Sequence, residues 1–343
     1  MPITRFTRGV SRRAPSVGAR GVVAAAVAAA LAILARPLTL AAWGEHGHRL
    51  AAAAAVAALP PEMPAFFRRA ARQLTYLNPE PDRWRERGER ERDPALAGAT
   101  APDHYVDLEL IPAGRRAGAF AAPTRVAYAD TLRAVGADPA AVGLLPFRVV
   151  ELTQRLRTGF GRWRTAPNAE TRAWIEQRII DDAGILGHYV TDGSNPAHTT
   201  MHHNGWVGSN PRGYATDPRF HARFESVFVQ ARVAEPDVRA AMRATPPAQA
   251  FPDVRAAVLA YVARSHSQVG RLYDLDRAVA FSAENDRPQH KAFAVERLAA
   301  GATMLRDLWW TAWVTSAAAD SVSPAPLPTV PAAAPAGRRG SPR

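Results

Sequence analysis

Apolar residues recur at helical spacing along most of the chain from residue 48 to residue 309. HRLAAAAAVAAL (48–59), PFRVVELTQRL (146–156) and AETRAWIEQRIIDDAGILGHYVTD (169–192) each place them on one face of a helix. Two further stripes follow, one marked by Val254, Val258, Tyr261, Val262, Val269 and Leu272, the other by Val295, Leu298, Ala302, Leu305 and Trp309. Strand-like patterns are weak throughout. The sequence therefore predicts an all-α fold, a multi-helix bundle.

Two long connections interrupt this pattern, at about 77–124 and about 194–218. Both are rich in Pro, Gly, Asn and Asp, and neither has a clear periodicity. Long connections in a compact domain are usually functional or disordered. We expect both to be functional loops.

The two ends of the chain differ from the body in composition. Residues 1–20 carry five arginines and no acid, and residues 21–35 are purely apolar. This pattern predicts a signal peptide over 1–42, cleaved before Trp43, and hence a periplasmic or secreted protein. An uncleaved membrane anchor is the alternative. Residues 319–343 are rich in Pro and Ala and predict a disordered tail, which leaves 43–318 as the folded domain.

Net charge and cysteine content exclude few classes of protein or substrate. The formal charge of +12 includes six arginines of the predicted leader, so the body is mildly basic. A mild excess does not by itself indicate nucleic-acid binding, although it would not repel a phosphate-bearing substrate. The chain has no cysteine. An exported protein without disulfides must depend on packing, on bound metal, or on both.

Five of the ten histidines lie in one short window, at positions 188, 198, 202, 203 and 221. Within GHYVTDGSNPAH (187–198), His188 and Asp192 are four residues apart and share a helix face. Gly193 and Pro196 should end that helix and turn His198 back toward the same place. His202 and His203 are expected to be loop residues rather than further ligands.

The segment HARFE repeats the same spacing with His221 and Glu225. Imidazole nitrogen and carboxylate oxygen are ligands that zinc takes in proteins. A single pair of this kind is equally typical of a buried ion pair, or of a solvated helix face for HARFE alone. Two pairs linked by His198 favour a metal site.

Several motifs together resemble one superfamily. WGEHGH (43–48), an Asp in the following loop, HYVD (104–107), GHYVTDGSNPAH and HARFE occur in the order seen in zinc-dependent nucleases of the S-one/P-one type and bacterial zinc-dependent phospholipase C. The resemblance spans Trp43 to about Trp313. It implies a helical bundle that holds three zinc ions in a cleft.

The resemblance also implies a ligand set of nine residues. Trp43 and His48 would hold one ion with the bridging Asp192, and the other two ions would take Asp82, His104 and His188, and His198, His221 and Glu225. Trp43 would bind through its free amine and carbonyl, because an internal amide nitrogen is a poor metal donor. A core aromatic is the alternative for Trp43. Glu80 and Glu86 compete with Asp82 for its position.

The implied reaction is phosphodiester hydrolysis by a water molecule whose pKa the zinc ions lower. Asp82 would orient that water, Asp192 would keep the ions together, and Arg85 would hold the phosphate through paired hydrogen bonds. Tyr105 and Asp107 resemble positions near the base-binding pocket. In the loop 199–217, Trp206 and Tyr214 would stack on a base or lie against an acyl chain, with simple packing as the alternative.

Three functions remain open from the sequence. A nuclease acting on single-stranded DNA or RNA is the main expectation, and phospholipase C is the alternative. Glu225 in place of an aspartate and the absence of cysteine resemble the phospholipase, and Ser226 stands where the nucleases tend to carry an asparagine. A zinc-stabilised binding protein without turnover is the third. We expect a phosphodiester substrate, no stable protein partner, and a monomer.

Overall fold

The computed structural model describes residues 43–317, and every regular element in that range is helical. The predicted all-α class is confirmed. The predicted signal peptide (1–42) and tail (319–343) lie outside the described residues. Within the described range, no helix has the length and apolarity needed to cross a membrane.

Seven helices of ten residues or more form the body. They are α1 (Gly44–Ala57), α8 (Arg125–Ala134), α10 (Leu145–Arg164), α11 (Ala169–Ser194), α15 (Val254–His266) with α16 (Val269–Ala278) directly after it, and α17 (Pro288–Thr315). Shorter helices are α2 (Ala65–Arg69), α3 (Ala71–Leu77), α4 (Glu80–Arg83), α5 (Arg87–Arg92), α6 (Pro94–Ala99), α7 (Arg116–Phe120), α9 (Pro139–Val142), α12 (Phe220–Ala222), α13 (Val229–Arg232) and α14 (Glu235–Arg243). Single turns of 3₁₀-helix occupy Ala101–His104, Leu108–Leu110, Ala113–Arg115 and Pro196–Thr199, and Arg223–Phe228 is π-helical.

The core lies between α1, α10, α11 and α17, in which α11 and α17 contact each other and both of the other helices. Most buried residues of α1 are alanines, and such small side chains allow neighbouring backbones to approach closely. At the other end, Trp309 of α17 meets Phe67 edge to face with ring centroids 5.3 Å apart. Asn168 caps α11 by accepting a hydrogen bond from the Thr171 nitrogen at 2.8 Å. The result places α11, which carries HYVTD, in the centre of the bundle.

The first long connection is not an open loop. Residues 77–124 contain α4 to α7 and three 3₁₀ turns, each too short to display a helical stripe in sequence. Neighbouring residues determine where these helices begin. At the start of α6, Asp93 accepts a hydrogen bond from the Leu96 nitrogen at 2.9 Å, and Pro94 occupies the first helical position. In α5 no residue is buried, and ion pairs such as Arg87–Glu91 support it instead.

The second connection is a loop, as expected, after the 3₁₀ turn Pro196–Thr199. Hydrogen bonds across the loop fix its shape. The Trp206 main-chain nitrogen donates to the Ala215 carbonyl, and the Asn210 side chain forms hydrogen bonds with the main-chain nitrogen and oxygen of Tyr214. The stripe at 254–272 divides into α15 and α16 with a break at Ser267 and Gln268. HARFE begins as the α-turn α12 and continues as the π-helix 223–228, an insertion frequently seen at functional sites.

Candidate metal centre

Six segments deliver side chains to one buried place in the bundle. The contributing residues are His48 from α1, Asp82 from α4, His104 from the 3₁₀ turn 101–104, His188 and Asp192 from α11, His198 from the turn 196–199, and His221 and Glu225 from α12 and the π-helix. All are buried except Asp82, whose side chain keeps 15 % of its surface exposed. The His221 side chain follows with 11 % of its surface exposed, so these two residues lie nearest to solvent.

The donor atoms form three groups, in each of which they lie within 4.8 Å of one another. The groups are His48, His188 and Asp192; Asp82, His104 and His188; and His198, His221 and Glu225. The second and third coincide with ligand sets implied by the sequence resemblance. The first joins His48 to Asp192 as implied and adds His188. These buried groups could hold metal ions.

Asp192 lies between the first two groups. Its Oδ2 lies 3.1 Å from His104 Nδ1 and 3.3 Å from His188 Nε2, and its Oδ1 lies 3.4 Å from His48 Nε2. Being four residues apart on α11, His188 and Asp192 share a face as the spacing predicts. One fully buried carboxylate thus faces imidazoles from three different segments.

Main-chain carbonyl groups fix the orientation of two imidazoles. His188 donates through Nδ1 to the Asn78 carbonyl at 2.9 Å, and His198 donates through Nδ1 to the His104 carbonyl at 2.7 Å. A carbonyl oxygen only accepts, so each Nδ1 carries the proton and each Nε2 turns its lone pair into the cluster. Metal-binding histidines almost always have such an outer partner.

Several inward atoms have no hydrogen-bond partner among residues 43–317: His198 Nε2, His221 Nε2, Asp82 Oδ2 and Asp192 Oδ1. His221 Nε2 lies 2.7 Å from Glu225 Oε2 without the alignment of a hydrogen bond. Buried polar atoms without partners are costly and need an explanation. Unpaired nitrogen and carboxylate donors that converge at short range fit bound cations, and their chemistry fits zinc.

Burial controls the protonation of the cluster. It raises the pKa of Asp192 to about 8 and that of Asp82 to about 7, and it holds the pKa of His104 and His188 well below 6.5. These two imidazoles are therefore neutral, which is the form that binds metal. Glu225 differs: burial raises its pKa, but the His221 and His198 imidazoles lower it to about 2.

Trp43 lies against this cluster with its indole fully buried. Its main-chain nitrogen donates to Glu225 Oε2 at 2.8 Å, and its Nε1 donates to the Thr191 carbonyl at 2.8 Å. The residue has a positive φ of 43°, uncommon outside glycine. The structure thus places Trp43 both as a core aromatic and with its nitrogen on a residue of the third group.

The other expected site residues lie around this cluster of donor side chains. Arg85 follows α4 on the turn closed by its own nitrogen and the Asp82 carbonyl, and its charge lowers the pKa of Asp82 and Asp192. Tyr105 is half-buried and donates its hydroxyl to the Ala140 carbonyl at 2.6 Å. Asp107 is buried, its pKa is raised by burial to about 7, and its Oδ2 lies 3.8 Å from His203 Nδ1.

Trp206 lies in the loop beside the cluster and is half-buried. Its ring stacks on His202 with centroids 3.8 Å apart, and Tyr214 and Tyr273 pack around it. His203, which follows His202 in the chain, has its ring centroid 6.4 Å from that of His221. As expected from the sequence, His202 and His203 belong to none of the three donor groups.

Two asparagines at the site were not identified from the sequence. Asn195 donates to Glu225 Oε2 at 3.0 Å, and its place inside DGSNPAH, between ligand candidates, was an available signal. Asn78 contacts two of the histidines but lies in no motif, so sequence offered no signal for it.

Comparison with known proteins gave no matching family model, no matching curated protein and no matching solved structure. The interpretation of the site therefore rests on its residues and their geometry.

Proposed function

We propose that the protein is a zinc-dependent phosphodiester hydrolase, and specifically a nuclease that cleaves single-stranded DNA or RNA. The observation that carries the proposal is the set of three neighbouring donor groups, two of which share His188, with Asp192 Oδ1 of the first group 3.9 Å from His198 Nδ1 of the third. Structural zinc sites usually have four protein ligands and are closed, whereas each group here offers three side chains. The vacant position in such a group suits a water molecule or a substrate oxygen.

Zinc held by these residues would lower the pKa of bound water and neutralise charge on phosphoryl oxygens. The Asp82 side chain keeps 15 % of its surface exposed, and its buried Oδ2 has no hydrogen-bond partner among residues 43–317. In the proposed reaction this oxygen orients the attacking water and takes its proton. Asp192 holds the three groups together, and Arg85 supplies positive charge beside Asp82, where a scissile phosphate would bind.

The preference for nucleic acid is supported by the residues after His104. Asp107 is buried, yet its Oδ1 has no hydrogen-bond partner in the described part of the chain. A carboxyl group in this position can bond the edge of a base, and the Tyr105 ring beside it can contact the base face. The stacked pair His202–Trp206 offers a further aromatic surface for a second base, an interaction of about 1–3 kcal/mol per base.

One observation favours phospholipase C as the second candidate. A groove of about 530 Å³ runs between α7 and α15, and its walls include Phe120, Leu259 and Val262. The groove reaches His266, whose Nδ1 donates to the Thr199 carbonyl at 2.8 Å. Thr199 directly follows the candidate ligand His198 in the chain. An acyl chain would fit such walls.

The test compares two substrates with one protein that begins at Trp43 and is saturated with zinc. Single-stranded oligonucleotide and phosphatidylcholine vesicles are offered in parallel, with and without a chelator. Chelator-sensitive cleavage of the oligonucleotide alone supports the nuclease, and cleavage of the lipid alone supports the phospholipase. Zinc binding without cleavage of either would leave a binding protein and refute the proposal. Asp192→Asn is the inactive control, and Asp130→Asn, at an exposed residue on α8, is the matched control.

We propose further that the protein is exported, cut before Trp43, and monomeric. N-terminal sequencing of protein from the periplasm or medium tests the cleavage, and the mass in solution tests the oligomeric state. A first residue other than Trp43 would contradict the proposed cleavage.

A further inference from the structure

Asn78 contacts two histidines that belong to different helices. Its Oδ1 lies 2.9 Å from His48 Nδ1 on α1, and its main-chain oxygen lies 2.9 Å from His188 Nδ1 on α11. The two imidazole rings stack face to face, with centroids 4.1 Å apart and planes 15° apart. One residue thus touches the outer edges of both rings.

The position of Asn78 explains why both oxygen atoms are available. The residue ends α3, and the last carbonyl groups of a helix have no partner within the helix. The freed main-chain oxygen accepts from His188, and the amide oxygen accepts from His48. Both imidazoles are thereby held with Nδ1 protonated and with Nε2 toward Asp192, at 3.4 Å and 3.3 Å.

Asn78 can approach α11 closely because the residue facing it, Gly187, has no side chain. A Cβ at Gly187 would lie 2.3 Å from Asn78 Nδ2, far inside van der Waals contact, and 3.2 Å from Leu305. The amide could escape only by rotating, which would remove Oδ1 from His48. Gly187 stands directly before His188, so the same turn of α11 supplies one imidazole and admits the residue that orients it.

We propose that Asn78, seated in the notch at Gly187, is the positioning residue that sets the tautomer of His48 and His188 and so assembles two of the three donor groups. The inference rests on the metal centre of the proposed function. Both oxygen atoms of Asn78 are engaged by the two imidazoles. Its effect on metal passes through the two imidazoles.

The first test uses Asn78→Leu in the metal-free protein that begins at Trp43. Leucine has a similar size but no amide oxygen, and the main-chain oxygen remains. Long-range ¹H–¹⁵N spectra of the imidazoles should show His48 losing its Nδ1–H form while His188 keeps it. Asn78→Asp, which retains an acceptor, should restore the tautomer of His48. Asn285→Leu is the matched control, since Asn285 is a buried asparagine that bonds only main chain around residues 279–287.

The second test measures zinc affinity by competition with a chelator. Asn78→Leu and Gly187→Ala should weaken the binding of the ion held by His48, His188 and Asp192 about 10- to 100-fold. The ion held by His198, His221 and Glu225 should keep its affinity in both variants. Unchanged tautomers and unchanged affinities, equal to those of Asn285→Leu, would overturn the inference.

The two proposals fail separately. A protein that binds no zinc would refute the proposed function, while the tautomer spectra of the metal-free protein would still decide the role of Asn78. If Asn78→Leu does not fold, Asn78→Asp and Gly187→Ala carry the same comparison.

Discussion

Replacement of Gly184 by alanine tests whether the segment Leu77–Asn78 is pinned against α11. A Cβ at this position would lie 2.3 Å from the Cβ of Leu77, whereas 3.4–4 Å is ordinary contact. Unlike a flexible side-chain end, a Cβ moves only with its backbone. The substitution must therefore displace Leu77, and with it Asn78, or else distort α11.

The expected magnitude follows from two opposing terms. Alanine in a helix interior is favoured over glycine by about 1 kcal/mol. Forced overpacking in a close-packed core costs about 1–3 kcal/mol. We expect Gly184→Ala to lower the free energy of unfolding by up to about 2 kcal/mol, with a corresponding loss of Tm of roughly 2–4 °C per kcal/mol for a domain of this size.

The matched control is Gly161→Ala in α10. There the nearest atom to a new Cβ is the Ser316 oxygen at 3.7 Å, an ordinary contact. This variant gains helix propensity without a clash, and we expect it to be unchanged or more stable by up to about 1 kcal/mol. The two glycine-to-alanine changes should thus differ in sign.

The assay is urea unfolding followed by far-ultraviolet circular dichroism, with chelator and again with saturating zinc. Metal-free unfolding isolates the packing effect, because any ligand bound to the folded state adds stability by mass action. Displacement of Asn78 should also weaken zinc binding in Gly184→Ala. If Gly184→Ala gained as much stability as Gly161→Ala and bound zinc normally, the idea that α11 holds Asn78 in place would be refuted.

Three further outcomes are expected. An extra residue ahead of Trp43 should lower the number of bound zinc ions by one and abolish most hydrolysis, which metal analysis and turnover measure; full activity would contradict a ligand at the chain start. Asp107→Asn should change the preference among the four bases in oligonucleotide cleavage and leave zinc content alone, so an unchanged base preference would remove Asp107 from the substrate site. Stability of the metal-free protein should fall as pH rises from about 6.5 to about 8, because burial raises the pKa of Asp82 to about 7 and of Asp192 to about 8, so the folded state retains protons that the unfolded state releases. Below about 6.5 the buried His104 and His188 oppose this trend, because burial lowers their pKa and the unfolded state binds protons that the folded state does not. With zinc bound, which requires deprotonated ligands, stability should rise from about pH 6.5 to about pH 8, and parallel curves would contradict the placement of ions at these carboxylates.

Sequence predicted the long helices because their apolar faces persist over several turns. The faces of α10, α11 and α17 each extend through at least 20 residues, long enough for the periodicity to stand out. In 77–124 the helices are four to six residues long, and their starts depend on single caps such as Asp93. A periodic pattern does not form over one turn, so this segment was expected to be a loop.

Most candidate ligands could be predicted from the sequence for a related reason. His188 with Asp192, and His221 with Glu225, are four residues apart, so local helical geometry alone brings each pair together. Asn78 is different, since it lies 30 residues from His48 and 110 from His188. Only the packing of α3 on α1 and α11 creates those contacts, and no local pattern encodes it. The π-helical turn that carries Glu225 likewise depends on tertiary packing.

The site and the stability of the fold are connected through α11. Its glycines admit Leu77 and Asn78, at a cost in helix propensity, and its Asp192 is buried among imidazoles with no hydrogen bond to Oδ1 in the range 43–317. Each of these features costs free energy in the metal-free protein and favours a bound cation. A chain without cysteine has no disulfide to offset that cost. Ions bound at 1,000 times their dissociation constant would contribute about 4 kcal/mol per site, comparable with the net stability of many domains. The metal that we propose for the chemistry would therefore also stabilise the fold.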